Sequence, residues 1–181
     1  MSSSSGLSSK TIALVGLSGV GKSSIGRRLA AALDMPFRDA DVEVEAAAGR
    51  PIAEIFTQYG EQAFRDGERR VIARLLKEPP HVLATGGGAF MNLETRRLIK
   101  EKAVSVWLKA DIELLARRVA RKESRPLLAG KDPLEVLTEQ ARDRYPAYGE
   151  ADIVVETGDT PHQTAVEAIL KALAARVEAP T

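Results

Sequence analysis

Eight residues near the start of the chain have the types and spacing that bind a phosphate chain. Gly16-Leu-Ser-Gly-Val-Gly21-Lys22-Ser23 fits the pattern G-x-x-x-x-G-K-[ST] in full. Glycines let successive backbone N–H groups turn toward phosphate oxygens, and a helix beginning at Lys22 adds partial positive charge. The lysine is expected to reach the β- and γ-phosphates, and the Ser23 hydroxyl to coordinate Mg²⁺. The pattern predicts an ATP-binding site formed by Gly19, Val20, Gly21, Lys22, Ser23 and Ser24.

A pair of carboxylates follows this loop. Asp39 and Asp41 stand two residues apart in Phe37-Arg-Asp-Ala-Asp41, at the end of a short expected strand. Side chains at positions i and i+2 of an extended segment point the same way, so one carboxylate could face a metal and the other an acceptor hydroxyl. The alternative is that Asp41 caps the helix that follows it. The pair alone does not decide between the two.

An arginine and a run of glycines are further candidates. Arg65 follows Phe64 in a charged helical stretch, where a solvated surface position is the alternative. The segment from His81 to Gly88 ends an expected strand in three consecutive glycines. Ligands of open parallel sheets bind beyond the carboxyl ends of the strands, and glycines there let backbone N–H groups approach an anion or a hydroxyl. A plain flexible loop is the alternative.

The segments that must position these residues alternate between strands and helices. Short aliphatic runs predict strands at residues 11–15, 35–38, 81–84, 104–108 and 153–155. Apolar residues at helical spacing predict helices at 22–33, 41–48, 52–59, 60–76, 93–102, 111–121, 133–144 and 161–177. Asp111 is the expected N-cap of its helix. The alternation predicts an α/β fold in which helices cover both faces of a parallel sheet.

The composition limits the classes of protein to consider. A chain of 181 residues fits one domain, placed at residues 10–178 after a Ser-rich tail at 1–9. Basic residues number 26 against 25 acidic ones, which gives no sign of a nucleic-acid-binding surface. The absence of cysteine excludes disulfides and thiolate-ligated metals. His81 and His162 lack metal-ligand spacing and are expected on the surface or in loops.

Two further classes are disfavoured. No apolar run approaches the roughly 18 residues of a membrane helix, and the N-terminus lacks the apolar region of a signal peptide, so the expected location is the cytoplasm. A regulatory GTPase needs a guanine-reading N-K-x-D motif, but Asn92 is the only asparagine and is not followed by lysine. The D-x-x-G switch motif is also missing after a second strand. The nucleotide site therefore favours a phosphotransferase over a guanine switch.

Six motifs follow one another along nearly the whole chain, from about residue 11 to 177. They are Gly16-x4-Gly-Lys-Ser, Phe37-x-Asp-x-Asp41, Phe64-Arg65, Thr85-Gly-Gly-Gly88, Arg125-Pro-Leu-Leu128 and Arg144-x-x-x-Tyr148. At these intervals the series resembles the shikimate kinases. The resemblance implies a P-loop kinase fold, with a five-stranded parallel sheet in three α/β/α layers. It also implies a monomer with a mobile lid at about residues 121–132.

The same resemblance implies a reaction. An ATP- and Mg²⁺-dependent enzyme would transfer the γ-phosphoryl group to the 3-hydroxyl of shikimate, a step toward chorismate and the aromatic amino acids. Asp41 would bind the ring hydroxyls, orient the reacting one and be the candidate acceptor of its proton. Asp39 would help to hold magnesium through water. The substrate-binding set implied is Asp41, Arg65, Gly87, Gly88 and Arg144, in which the two arginines clamp the carboxylate.

Further residues would complete the nucleotide site. Arg125, in the lid, would close over the transferring phosphate and share the catalytic role with Lys22 and Asp41. Arg118 falls where relatives pack an arginine against the adenine, although a solvated helix position is equally consistent with its sequence. Some relatives carry a basic residue before the last helix, whereas residues 155–160 contain none. Adenine contacts at that end are therefore left open.

Two alternatives to this function remain from the sequence. A kinase of another small metabolite, such as gluconate or a nucleoside monophosphate, would share the phosphate-binding loop. Gluconate is also a polyhydroxy carboxylate, so two arginines and an aspartate do not exclude it. A non-catalytic nucleotide-binding module is the second alternative. Such a module would not need the lysine, both aspartates and three arginines together.

Overall fold

The computed structural model describes residues 9–121 and 130–178 around a five-stranded sheet. Its strands are β1 (Thr11–Val15), β2 (Phe37–Asp39), β3 (Val82–Ala84), β4 (Ala103–Lys109) and β5 (Ile153–Glu156). They run in the order β2-β3-β1-β4-β5, and every neighbouring pair is parallel. The predicted parallel sheet is confirmed. The strand predicted at 35–38 begins two residues later.

Helices connect consecutive strands. They are α1 (Lys22–Leu33), α2 (Ala40–Ala48), α3 (Ile52–Leu75), α4 (Leu93–Lys102), α5 (Ile112–Ala120), α6 (Pro133–Tyr148) and α7 (His162–Glu178), with a short 3-10 helix at Ala89–Met91. Asp111 caps α5, as predicted, by accepting the N–H of Glu113 at 3.3 Å. Within the described ranges, none of these helices combines the length and the apolar character needed to cross a membrane.

The two helices predicted at 52–59 and 60–76 are confirmed as two helical segments of α3 on either side of a kink, where Gly60 has the non-helical angles φ 86° and ψ 171°. Two helical features differ from the prediction. The helix predicted to end at 144 continues through Pro146, because Ala147 and Tyr148 are drawn into the core. The 3-10 helix after the glycine run was not predicted, since three residues are too few for a periodic signal.

The sheet lies between two layers of helices. Every residue of β1 is buried, which requires cover on both faces, and α1 packs against α7 on the sheet. This arrangement confirms the three-layer α/β/α architecture. Because β1 lies between β3 and β4, the connections lead away from it in opposite directions and leave a crevice at its carboxyl end. The loops after four of the strands meet at that crevice.

Candidate functional site

A cavity of ≈ 640 Å³ occupies this crevice at the carboxyl edge of the sheet. Its wall includes the predicted residues Gly19, Gly21, Lys22, Ser23, Ser24, Asp39, Asp41, Gly87 and Arg118. It also includes residues that were not predicted: Ser18, Thr85, Gly86, Arg121, Thr160, Pro161 and His162. The structure therefore brings the phosphate-binding motif, the acidic pair and the glycine run to one continuous surface.

The phosphate-binding loop turns sharply into α1. Gly21 is the residue before the helix and has φ 102°, a left-handed conformation that side chains rarely adopt. The ammonium group of Lys22 donates to the carbonyl oxygens of Gly16 at 2.6 Å and Leu17 at 3.1 Å. Val20 buries its side chain in the core, so its predicted contact with phosphate would be made by its backbone N–H.

Ser23 and Asp39 are joined by a short hydrogen bond. The Ser23 hydroxyl donates to Oδ2 of Asp39 at 2.6 Å. The other oxygen, Oδ1, accepts the N–H of Asp41 at 3.0 Å and thereby caps α2. Ser23 of α1 and Asp39 of β2 thus place a hydroxyl and a carboxylate side by side on the cavity wall.

The acidic pair does not have the geometry predicted for it. Asp39 ends β2, but α2 begins at Ala40, so Asp41 lies in the first helical turn rather than in an extended segment. The cap is provided by Asp39 and not by Asp41. The i and i+2 argument was therefore wrong, because capping starts the helix one residue before the position assumed. Both carboxylates nevertheless line the cavity.

The two arginines predicted to clamp the substrate carboxylate, Arg65 of α3 and Arg144 of α6, lie against the glycine run. A Cβ atom on Gly88 would lie only 2.6–2.7 Å from the guanidinium of Arg65. A Cβ on Gly87 would lie 3.1 Å from Nη1 of Arg144. Neither arginine is part of the cavity wall itself, but both lie against the loop that continues it. A side chain at position 88 would therefore displace the guanidinium of Arg65 from its present position.

A buried carboxylate that the sequence analysis missed completes this end of the site. Glu68 is 3% exposed, and its Oε1 accepts from Nη1 of Arg65 at 3.0 Å. Its Oε2 has no hydrogen-bond partner among the described residues and lies 2.6 Å from where a Cβ of Gly86 would be. Burial raises the pKa of Glu68, and the charge of Asp41 adds to this, while Arg65 and Arg144 act in the opposite direction.

Tyr148 fastens the glycine run to α6. Its side chain is fully buried, and its hydroxyl donates to the carbonyl oxygen of Gly87. Burial raises the pKa of Tyr148 to about 12, although the guanidinium of Arg144 opposes the rise, so the hydroxyl remains a proton donor at neutral pH. The ring packs against Trp107 of β4 at 5.6 Å between centroids, and Tyr145 lies edge-on to Trp107 at 4.9 Å.

The opposite end of the cavity is closed by α5 and the start of α7. Arg118 donates to the carbonyl oxygens of Gly19 at 3.2 Å and Gly158 at 3.1 Å, so it joins the phosphate-binding loop to the segment before α7. His162, predicted on the surface or in a loop, instead lines the cavity as the first residue of α7. Arg125 and most of the predicted lid lie outside the described residues.

Comparisons with known proteins agree with this geometry. The family model described as shikimate kinase matches residues 18–174. A shikimate kinase of Caulobacter vibrioides is 77% identical over 167 residues, which are 92% of this chain and 84% of the relative. The solved structure titled shikimate kinase from Acinetobacter baumannii in complex with shikimate aligns with a TM-score of 0.92 at 34% identity, covering 96% of this chain and 98% of that one.

A structure of a gluconokinase from Sinorhizobium meliloti matches less closely. Its TM-score is 0.63 at 22% identity, with 94% of this chain and 95% of that chain covered. At that identity the likeness shows a shared fold and nothing about the substrate. The family model and the high identity to the curated relative show more: the chain belongs to the shikimate kinase family.

Proposed function

We propose that this enzyme transfers the γ-phosphoryl group of ATP to the 3-hydroxyl of shikimate. One observation carries the proposal. A single cavity connects the phosphate-binding loop to Asp41 and to the glycine run that contacts Arg65 and Arg144. A phosphoryl donor at one end and a hydroxy acid at the other would therefore meet inside one continuous cavity, as transfer by positioning requires.

The nucleotide end supplies backbone donors and one ammonium group. Main-chain N–H groups of residues 19–24, at the start of α1, would hold the phosphates, and Lys22 would exchange its carbonyl partners for β- and γ-phosphate oxygens. Arg118 already bridges two carbonyl oxygens at this end, and its flat guanidinium would pack against the adenine. These groups neutralise charge that grows on the transferring phosphoryl group.

Ser23 and Asp39 fit a magnesium ion. A hydroxyl and a carboxylate are hard oxygen ligands, and Mg²⁺ in such sites keeps several waters and is bound by one or two protein groups together with phosphates. Residues 9–121 and 130–178 contain no cluster of three or more His, Cys, Asp or Glu that could hold a metal. When bound, the ion would neutralise phosphate charge, with Ser23 as direct ligand and Asp39 acting through water.

The acid end is suited to a carboxylate with neighbouring hydroxyls. Arg65 and Arg144 would clamp the carboxylate bidentately, and Gly87 and Gly88 would offer backbone N–H groups. Asp41 would accept hydrogen bonds from the ring hydroxyls and orient the reacting one toward the phosphate. The same aspartate is the candidate acceptor of the hydroxyl proton. Arg125 would cover the transferring group when the lid closes and water is excluded.

A coupled assay with ATP and Mg²⁺ tests this function. We expect turnover with shikimate and none with gluconate or nucleoside monophosphates, because only shikimate combines a carboxylate for the two arginines with ring hydroxyls for Asp41. Phosphate transfer to gluconate but not to shikimate would contradict the proposal. Replacing Mg²⁺ by Ca²⁺ should abolish turnover, since the larger ion prefers more protein oxygen ligands than this site offers.

The monomeric state, a cytoplasmic location and a single domain at residues 10–178 belong to the same proposal. They rest on the resemblance and on the composition. Light scattering on the purified protein tests the first of them, with the mass of one chain, 19.5 kDa, as the expected result. A mass of two chains would contradict it.

A further inference from the structure

His162 packs directly on the phosphate-binding loop. The imidazole atoms Cε1 and Nδ1 lie 3.2 Å and 3.5 Å from where a Cβ of Gly21 would be. Gly21 is the residue from which α1 begins, so the ring lies beside the backbone that would hold phosphates. His162 also shares the cavity wall with Lys22 and Ser24. Its position at the start of α7 leaves it partly exposed to the space that a nucleotide would fill.

The ring faces cationic groups from two other elements. Partial burial lowers the pKa of His162, and the positive charges of Arg118 of α5 and Arg28 of α1 lower it further. Lys22 of α1 and Arg121 at the end of α5 line the same cavity. In the absence of an anion the imidazole is therefore neutral at neutral pH, because a further positive charge would be repelled here.

The segment before α7 provides no cation of its own. Residues 156–161 read Glu-Thr-Gly-Asp-Thr-Pro, so its two ionisable side chains are both acidic. The loop is nevertheless tied to the phosphate-binding loop, since Arg118 donates to Gly158 and Gly19. Hence His162 is the first residue after β5 that can carry positive charge toward this end of the cavity.

We propose that His162 contacts the bound nucleotide and takes up a proton when the nucleotide binds. The inference rests on the proposed function only in assuming that this cavity holds ATP and ADP. A polyphosphate brings several negative charges, which offset the repulsion from Arg118 and Arg28 and favour the imidazolium. Nucleotide affinity then rises as the pH falls through the titration of His162, by at most about tenfold per pH unit for one proton.

Calorimetry of MgADP binding tests this proposal. Titrations near pH 6, where an unperturbed histidine is about half to three-quarters protonated, are repeated in two buffers with different ionisation enthalpies. Comparing the heats gives the number of protons taken up. We expect the wild type to take up a larger fraction of a proton than His162→Gln. Protonation of the nucleotide itself is common to both proteins and cancels in the difference.

The chain offers a matched control. His81 is the other histidine, and it lies at the amino ends of the strands, where its backbone N–H bonds to the Thr11 hydroxyl, far from the carboxyl edge that carries the cavity. The variant His81→Gln should therefore retain the wild-type proton uptake. If that variant does not fold, proton NMR of the wild type resolves the imidazole resonances, and ADP should raise the pKa of His162.

The possible results separate this inference from the proposed function. ADP binding with equal proton uptake in the wild type and His162→Gln would overturn the role of His162 and leave the nucleotide site intact. Imidazole resonances that do not respond to ADP would also contradict the role of His162. Failure of the wild type to bind MgADP at all would instead contradict the nucleotide site itself.

Discussion

The two ends of the cavity are built in different ways. The phosphate-binding end comes from residues 16–24, a continuous stretch whose donors are mostly backbone N–H groups fixed by the turn into α1. The acid-binding end is assembled from α2, α3, the glycine run and α6, which are separated by tens of residues along the chain. The first end is a local structure, whereas the second exists only after the whole domain has folded.

The charges at the two ends are held differently too. Lys22 donates to the carbonyl oxygens of Gly16 and Leu17, which phosphate oxygens can replace. Arg65 is already paired with Glu68, a buried carboxylate, and lies 3.6 Å from Glu61. A buried charge without a partner is costly, so this pairing keeps the guanidinium in place before substrate binds. We infer that the arginine and carboxylate pairing at the acid end fixes the geometry there before substrate binds.

The largest effect is expected from a substitution at the phosphate end. Lys22→Ala removes the ammonium group that would neutralise the transferring phosphoryl group, and we expect kcat to fall about a thousandfold. The KM for shikimate should change little, because the acid end is unaffected. Steady-state kinetics with each substrate varied in turn measures both quantities. If Lys22→Ala kept near-normal kcat, the ammonium group of Lys22 would not be needed for phosphoryl transfer.

An intermediate effect is expected from a substitution at the acid end. Arg65→Ala removes a charged hydrogen-bond donor from the clamp, and we expect the KM for shikimate to rise about 10- to 100-fold while the KM for ATP changes little. Arg69→Ala is the matched control: this residue lies one turn further along α3 and pairs with Asp66 and Glu94 near the surface. An unchanged KM for shikimate in Arg65→Ala would contradict the clamp.

The smallest expected effect is on stability, and it tests how the buried carboxylate of Glu68 is held beside Arg65. The folded-state pKa of Glu68 lies above its ordinary value, so the folded protein binds this proton more tightly than the unfolded chain does. The stability that protonated Glu68 adds to the folded protein is therefore fully present below the pKa of Glu68 in the unfolded chain. It is lost as the pH rises through the pKa of Glu68 in the folded protein. We expect Glu68→Gln to lose less stability than the wild type over that interval, a difference of at most about 1.4 kcal/mol per pH unit.

Urea unfolding of both proteins over a series of pH values measures this difference. Glu61→Gln is a suitable control, because Glu61 approaches the same Arg65 from a position that is 58% exposed. Its pH dependence should follow the wild type. A constant gap between the wild type and Glu68→Gln at every pH would mean that Glu68 stabilises the site by contact rather than by its ionisation.

The sequence predicted the phosphate-binding loop at residues 16–24 more fully than the residues that other elements bring to either end of the cavity. A turn formed by consecutive residues can be recognised from one short sequence motif. Gly21, Lys22 and Ser23 of that motif all line the cavity, as predicted. The strands were also found, because fully buried strands are continuous aliphatic runs. The start of α2 was misplaced, since a cap is a side-chain to backbone bond that the pattern of apolar residues does not record.

The residues that were missed owe their roles to tertiary contacts. Glu68 lies in a helix rich in charged residues, and the sequence does not indicate whether its side chain is solvated or buried beneath the loop at Gly86. His162 looked like a loop residue because the packing of α7 on α1 has no local signal. A charged residue at the i+3 position from Arg65 was the one available hint for Glu68, since such pairs face each other on a helix.

The aromatic cluster behind the glycine run has a practical consequence. Trp107 is the only tryptophan of the chain, and it touches Tyr148, whose hydroxyl bonds to the backbone of Gly87. Any shift of that loop on substrate binding changes the surroundings of one indole and no other. Intrinsic fluorescence therefore reports on occupancy of the acid end in the unlabelled enzyme, and its decay after rapid mixing would time that step separately from phosphate transfer.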